Sequence, residues 1–179
     1  MDTEEKMIVS KDIYNGKVIH VTLDDVTVPG GGTAKREIVH HRGGVCCAPM
    51  NEKGELAFVR QFRYAYGEML LELPAGKLET SDTDTLSAIK RELREEIGGE
   101  GEDWRDMGKL YPTPGYCTEI IHLYTCNVRS IGETHFDPDE FLETVWIPLD
   151  KAVDMVMRGE IRDSKTQVLV LKLAMEKRA

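Results

Sequence analysis

The stretch "ELPAGKLETSDTDTLSAIKRELREEIGGE", residues 72–100, sets the terms on which the rest of the chain is read. It opens on a Pro–Ala–Gly turn, passes through a run of Thr, Ser and Asp, and ends in a helical pattern over residues 84–97 crowded with acids. On a wheel of about 100° per residue, Ile89, Leu93 and Ile97 fall within about 60° of Leu86 and make one apolar stripe. Glu92 and Glu96 lie about 40° apart on the flank of that stripe, and Glu95 lies nearly opposite the core. Two like charges at i, i+4 repel and weaken a helix, so something must offset them. Lys90, Arg91 and Arg94 are at hand. A hard divalent cation, which takes carboxylates, carbonyls and water, is the other candidate. The plainer alternative is a solvated face laced with pairs such as Arg91 with Glu95.

The 179 residues suit one ordinary domain with a small extra lobe, and 41% hydrophobic with 31% charged residues suits a soluble globular protein. A net charge of −9 argues against general nucleic-acid binding, which needs a basic surface. An anionic substrate would need local cations. No run is apolar for long enough to span a bilayer, and the polar, acidic start "MDTEEKMIVSKD" is no secretory signal. Cys46, Cys47, Cys117 and Cys126 form no CxxC pair, and reduced, buried thiols in a cytoplasmic protein are expected.

Residues 18–28 alternate apolar and polar, "PGGG" (29–32) reads as a turn, and "KREIVHH" (35–41) as the returning strand. "GVCCAPM" and "LAFVRQFRY" read as strands joined by the hairpin turn "NEKG". "MLLELPAG" is an apolar run into a turn, and "GKLYPTPGY" is a loop on two prolines. "IIHLYTCNV" and "FLETVWIPL" read as strands, and "DKAVDMVMRGEI" and "SKTQVLVLKLAMEK" as closing helices, the second capped by Asp163 or Ser164. Strands, one helix, more strands and then helices make an α+β chain with a mixed sheet, not a regular βαβ alternation.

Gly76, the polar run and "RELREEIG" (91–98) together resemble the signature of the Nudix hydrolases: Gly, five residues, Glu, seven residues, then Arg-Glu-apolar-x-Glu-Glu-x-Gly-apolar. Gly76 and Arg91 are 15 positions apart, one more than in that pattern. Asp82, Thr83 or Asp84 stands in place of the middle glutamate, and Gly99 replaces an aliphatic residue. "RQFRY" before "LELPAGK", then "YPTPGYCTE" and "DPDEFLETVWIPL", together with "KREIVHH", resemble the ADP-ribose pyrophosphatase subgroup.

The resemblance implies an α/β/α sandwich with a mixed sheet over residues 43–179. It also implies an antiparallel β piece over 1–42 that joins two chains into a homodimer. Ala75 (through its carbonyl), Glu92, Glu96 and Glu140 would hold Mg2+, with Mn2+ as an alternative. Glu95 would be a supporting ligand or the partner of Arg91, and Arg91 would orient the helix glutamates. Glu140 stands first as ligand or base, followed by Glu143 and Asp139. Arg36, Arg63, Glu72 and Pro114 would meet the substrate, with Glu72 holding either a substrate hydroxyl or a neighbouring arginine, and Tyr14, Tyr64 and Tyr66 are candidates to stack on a base. The activity implied is hydrolysis of the pyrophosphate of ADP-ribose or a related nucleoside diphosphate sugar. GDP-mannose, NADH or a modified nucleotide as substrate, and a non-catalytic nucleotide-binding module, remain as alternatives.

Overall fold

A computed structural model describes residues 3–136 and 141–177. The chain divides into two units, residues 1–43 with 111–120, and residues 44–110 with 121–179. In the first, β1 (Lys6–Asn15), β2 (His20–Val28) and β3 (Gly32–His40) form an antiparallel meander. The β2–β3 turn places Gly30 and Gly31 at φ 93° and 91°, a conformation that side chains other than glycine rarely adopt. Segment 111–120 lies beside β3: the Val39 N–H donates to the Tyr116 carbonyl (2.7 Å) and the Thr118 N–H to the Val39 carbonyl (2.9 Å). Pro114 therefore belongs to this unit. β1 was not legible as a strand, since all of its residues are exposed and no buried face imprints an alternation on them.

The second unit holds β4 (Gly44–Met50), β5 (Glu55–Arg63), β6 (Glu68–Glu72), β7 (Ala75–Lys77), β8 (Gly99–Leu110), β9 (Ile121–Ile131) and β10 (Glu143–Pro148). Strand order is β10-β5-β4-β9-β8, with β6 on β5 and β7 on β4. β4 and β9 run parallel, and the other pairs are antiparallel, so the sheet is mixed. β4 is buried from Gly44 to Pro49, which explains its unbroken apolar run. The turn after it forms as expected, with the Gly54 N–H on the Asn51 carbonyl (2.9 Å). The hairpin does not continue, because β4 and β5 pair only at Met50 and Leu56, and β7 pairs with β4 over Gly44–Cys46. "PAG" is thus not merely a turn: its last two residues begin a short strand.

Successive β4 side chains point to opposite faces. Val45 and Cys47 join Ala57, Val59, Tyr124 and Cys126 under α1 (Thr85–Ile97), which contributes Ala88, Ile89, Leu93 and Ile97. Cys46 and Ala48 join Leu56, Phe58, Leu73 and Leu123 under α2 (Leu149–Met157) and α3 (Ser164–Glu176). One helix on one face and two on the other make the expected α/β/α sandwich. Cys46, Cys47 and Cys126 are buried free thiols, and among the described residues no helix is long and apolar enough to cross a membrane.

Candidate active site

The acidic helix is fixed at both ends by local chemistry. Asp84 caps its start, its carboxylate accepting from the Ser87 N–H (2.7 Å) while the Ser87 hydroxyl accepts from the Asp84 N–H (3.2 Å). Gly98 ends it in the left-handed region at φ 65°. The next contacts tie in a distant segment: the Gly132 N–H donates to the Gly98 carbonyl (2.7 Å) and the His135 N–H to the Glu95 carbonyl (3.0 Å). Leu142, at the entry to β10, packs on the cluster that holds Ile89 and Leu93. The segment before "DPDE" (137–140, the late acidic loop of the sequence) is therefore tied to α1, and Leu142 after it to the cluster beneath that helix. Glu140 and Asp139 themselves lie outside the described residues.

The wheel put Glu92 and Glu96 on the flank of the buried stripe, and both face the loop that precedes the helix. Glu96 is buried, and its Oε2 accepts from the Ala75 N–H at 3.0 Å. Glu92 lies against Gly76 so closely that a Cβ there would be 2.0 Å from the Glu92 Cδ. Glycine at 76 is thus a matter of space. The missing side chain is the cradle that receives a carboxylate.

Arg91 offsets the repulsion between the acids. Its Nη1 donates to Glu92 Oε1 (2.8 Å) and Glu95 Oε2 (2.9 Å), and its Nη2 lies 3.2 Å from Asp82 Oδ2. Glu95 is therefore placed as the partner of Arg91. Of the three replacements left open for the middle glutamate, Asp82 is the one that reaches this arginine. Thr83 and Asp84 serve the helix cap instead. Asp82 follows Gly76 by six positions, where the pattern has its glutamate, so the extra residue falls between Asp82 and Arg91. Burial alone would raise the Asp82 pKa, but the Glu79 amide and the Arg91 guanidinium hold it below the ordinary carboxylate value.

A second ionic group lies at the end of β6. Arg63 donates from Nε and Nη2 to the two oxygens of Glu72 (2.6 and 2.8 Å), and Lys165 donates to Glu72 Oε2 (2.5 Å) and pairs with Asp163 (2.9 Å). Glu72 is 2% exposed. Burial would raise its pKa, yet the Arg63 hydrogen bonds and the Lys165 charge hold it down to about 2. Burial likewise disfavours the charged form of Lys165, the ammonium, yet Asp163 and Glu72 raise its pKa above the ordinary lysine value. Lys165 escaped sequence reasoning. A lysine in the first turn of a helix reads as solvated, and its partner Glu72 is 93 residues away.

The remaining candidates have other surroundings. Glu143 pairs with Arg60 across the β10–β5 ladder at 3.2 Å and is exposed. Arg36 and Pro114 are in the first unit, where Arg36 is bound by Glu5 (2.5 and 2.9 Å). Tyr14, Tyr64 and Tyr66 are exposed.

Among the described residues no group of three or more His, Cys, Asp and Glu side chains forms a metal cluster. The Glu92 and Glu96 carboxylates, which meet Gly76 and Ala75, nevertheless offer only oxygen donors. That set fits a hard divalent cation rather than a thiophilic one.

A family model described as the NUDIX domain matches residues 40–169. The chain is 37% identical over 175 residues to a methanol dehydrogenase activator of Bacillus methanolicus, covering 97% of this chain and 94% of the relative. It is 36% identical over 179 residues to an ADP-ribose pyrophosphatase of Bacillus subtilis, covering 97% and 96%. It is 32% identical over 146 residues to a GDP-mannose pyrophosphatase of Citrobacter koseri, covering 76% and 75%. The loop that delivers Gly76 and Ala75 to the glutamates of α1 lies inside the matched region, and the chain belongs to the Nudix family.

Proposed function

We propose that this protein hydrolyses the pyrophosphate bond of nucleoside diphosphate sugars, with ADP-ribose the first substrate and Mg2+ the cation. The observation that carries this reading is the meeting of Glu92 and Glu96 with Gly76 and Ala75 at the start of the loop that leads from Ala75 to α1 (the box loop). Glu92, Glu96 and the Ala75 carbonyl would hold the cation, with Glu140 as a further donor. When bound, a divalent cation polarises phosphoryl oxygens and acidifies water. Arg91 keeps the helix carboxylates apart and aimed. Arg63, held by Glu72, offers the outer side of its planar fork to an anionic substrate. Water adds to one phosphorus, the bond from that phosphorus to the bridging oxygen breaks, and ADP-ribose yields AMP and ribose 5-phosphate. A carboxylate of the late loop takes the proton, with Glu140 the first candidate, then Glu143 and Asp139. Arg36 and Pro114 are proposed as further substrate contacts.

The protein is proposed to act as a cytoplasmic homodimer, with the N-terminal strands as the dimerisation region. The support is β1, where Met7, Ile8, Val9, Ile13 and Tyr14 are all more than half exposed on a strand at the edge of its sheet. The deciding experiment measures phosphate-coupled hydrolysis of ADP-ribose, GDP-mannose and NADH with Mg2+, for the wild type and Glu96→Gln. ADP-ribose cleavage that collapses in the variant supports the reading. Preference for GDP-mannose or NADH removes the ADP-ribose assignment and leaves the site. Binding without turnover of any of the three assigns a nucleotide-binding module instead.

A further inference from the structure

Lys165 is placed where a lysine is costly. It occupies the first turn of α3, next to the capping Asp163, where the positive end of the helix dipole opposes a cation. It is also buried. A buried ion pair seldom adds more stability than an apolar filling of the same space would, so its return is sought in position. Lys165 grips Glu72, and its neighbour Thr166 grips the next residue, accepting from the Leu73 N–H at 2.8 Å and donating to Asp163 at 2.6 Å. Two consecutive residues of α3 thus hold two consecutive residues of the chain that leads into the box loop. Pro74 follows, with its φ fixed by the ring and its carbonyl accepting from the Cys47 N–H at 2.9 Å. Ala75 comes next, and its N–H meets Glu96. Little rotational freedom separates the anchored Glu72 from the Ala75–Glu96 contact.

We propose that Lys165 is a positioning residue of the active site: by gripping Glu72 it sets the Glu72–Ala75 segment against α1, and so the placement of Ala75 beside Glu96 and the orientation of the Arg63 fork. The inference rests on Ala75 and Glu96 being donors to the cation, as proposed above.

The test uses Lys165→Met in the full chain, with Thr166→Val as a second variant that removes the neighbouring grip at nearly constant volume. Three quantities are measured on each: amide hydrogen exchange at Leu73 and Ala75, Mn2+ affinity by electron paramagnetic resonance without substrate, and ADP-ribose turnover with kcat and KM separated. Faster exchange at Ala75, Mn2+ binding weakened about tenfold, and a fall in kcat larger than the rise in KM are expected. A purely structural lysine would lower the melting temperature and leave Mn2+ affinity and Ala75 protection of the folded protein within about twofold of wild type. That result overturns the proposal. If Lys165→Met does not fold, Lys165→Gln, which removes the charge but keeps a polar donor, decides on the same readouts. A wild type that binds Mn2+ but leaves ADP-ribose uncut would defeat the substrate reading alone, and the exchange and Mn2+ results would still decide the role of Lys165.

Discussion

Gly76 and Glu92 share one space: a Cβ at position 76 would lie 2.0 Å from both Cδ and Oε1 of Glu92. The clash is with the end of a flexible side chain, so the fold can survive it while the carboxylate moves. Gly76→Ala is expected to stay folded, to weaken Mn2+ binding and to lower kcat/KM for ADP-ribose by on the order of 10²-fold. Steady-state kinetics beside a melting curve checks this. A variant with wild-type kcat/KM would remove Glu92 from the site.

Gly98 is constrained differently. Its φ of 65° disfavours any side chain, and a Cβ would lie 2.4 Å from the Gly132 carbonyl oxygen, which is backbone and cannot swing aside. Gly98→Ala should therefore destabilise the protein by roughly 1–3 kcal/mol, read from urea unfolding. The loss should also disturb the attachment of the segment before the late acidic loop, visible as faster exchange of the Gly132 amide. A destabilisation under about 0.5 kcal/mol would contradict the close approach.

Arg91 serves three carboxylates with one planar group. Lysine keeps the charge but, as a point donor, cannot span Asp82, Glu92 and Glu95 together. Arg91→Lys should reduce kcat/KM by about 10- to 100-fold, and Asp82→Asn, which removes only one of the three contacts, by less. Equal losses in the two variants would mean that Asp82, not the pair of helix glutamates, is what Arg91 serves.

The Glu72 carboxyl titrates near 2 in the folded protein against an ordinary 4.5. A depressed carboxylate contributes stability above its unfolded pKa and loses it as pH falls through the folded one. The contribution, on the order of 3 kcal/mol, should therefore be complete at neutral pH and decline between pH 4.5 and about 2. Urea unfolding of wild type and Glu72→Gln across that range should show the gap between them narrowing. A constant gap would mean that Glu72 is not held as an ion by Arg63 and Lys165.

α1 was legible because its 3.6-residue apolar period is local, while its caps at Asp84 and Gly98 became evident only in the structure. The buried strand β4 and the closing helices were legible for similar reasons. β8 was not, because "GEGEDWRDMGKL" is mostly exposed and broken by three register shifts, and only its ladder with β9 makes it a strand. The hairpin expected at "NEKG" had the right turn but not the right partners, since turn chemistry is local and strand pairing is not.

By itself the sequence determined the family, the acidic helix, and the two glutamates on its buried flank, since spacing along a helix dictates which side chains share a face. Only the tertiary structure decided what those glutamates meet. The close fit of Glu92 to Gly76, the choice of Asp82 as the partner of Arg91, and the hold of Lys165 on Glu72 join residues 9 to 93 positions apart. Such contacts depend on how the sheet brings α1, the box loop and α3 together, and a one-dimensional pattern carries no record of which distant charge a buried side chain will find.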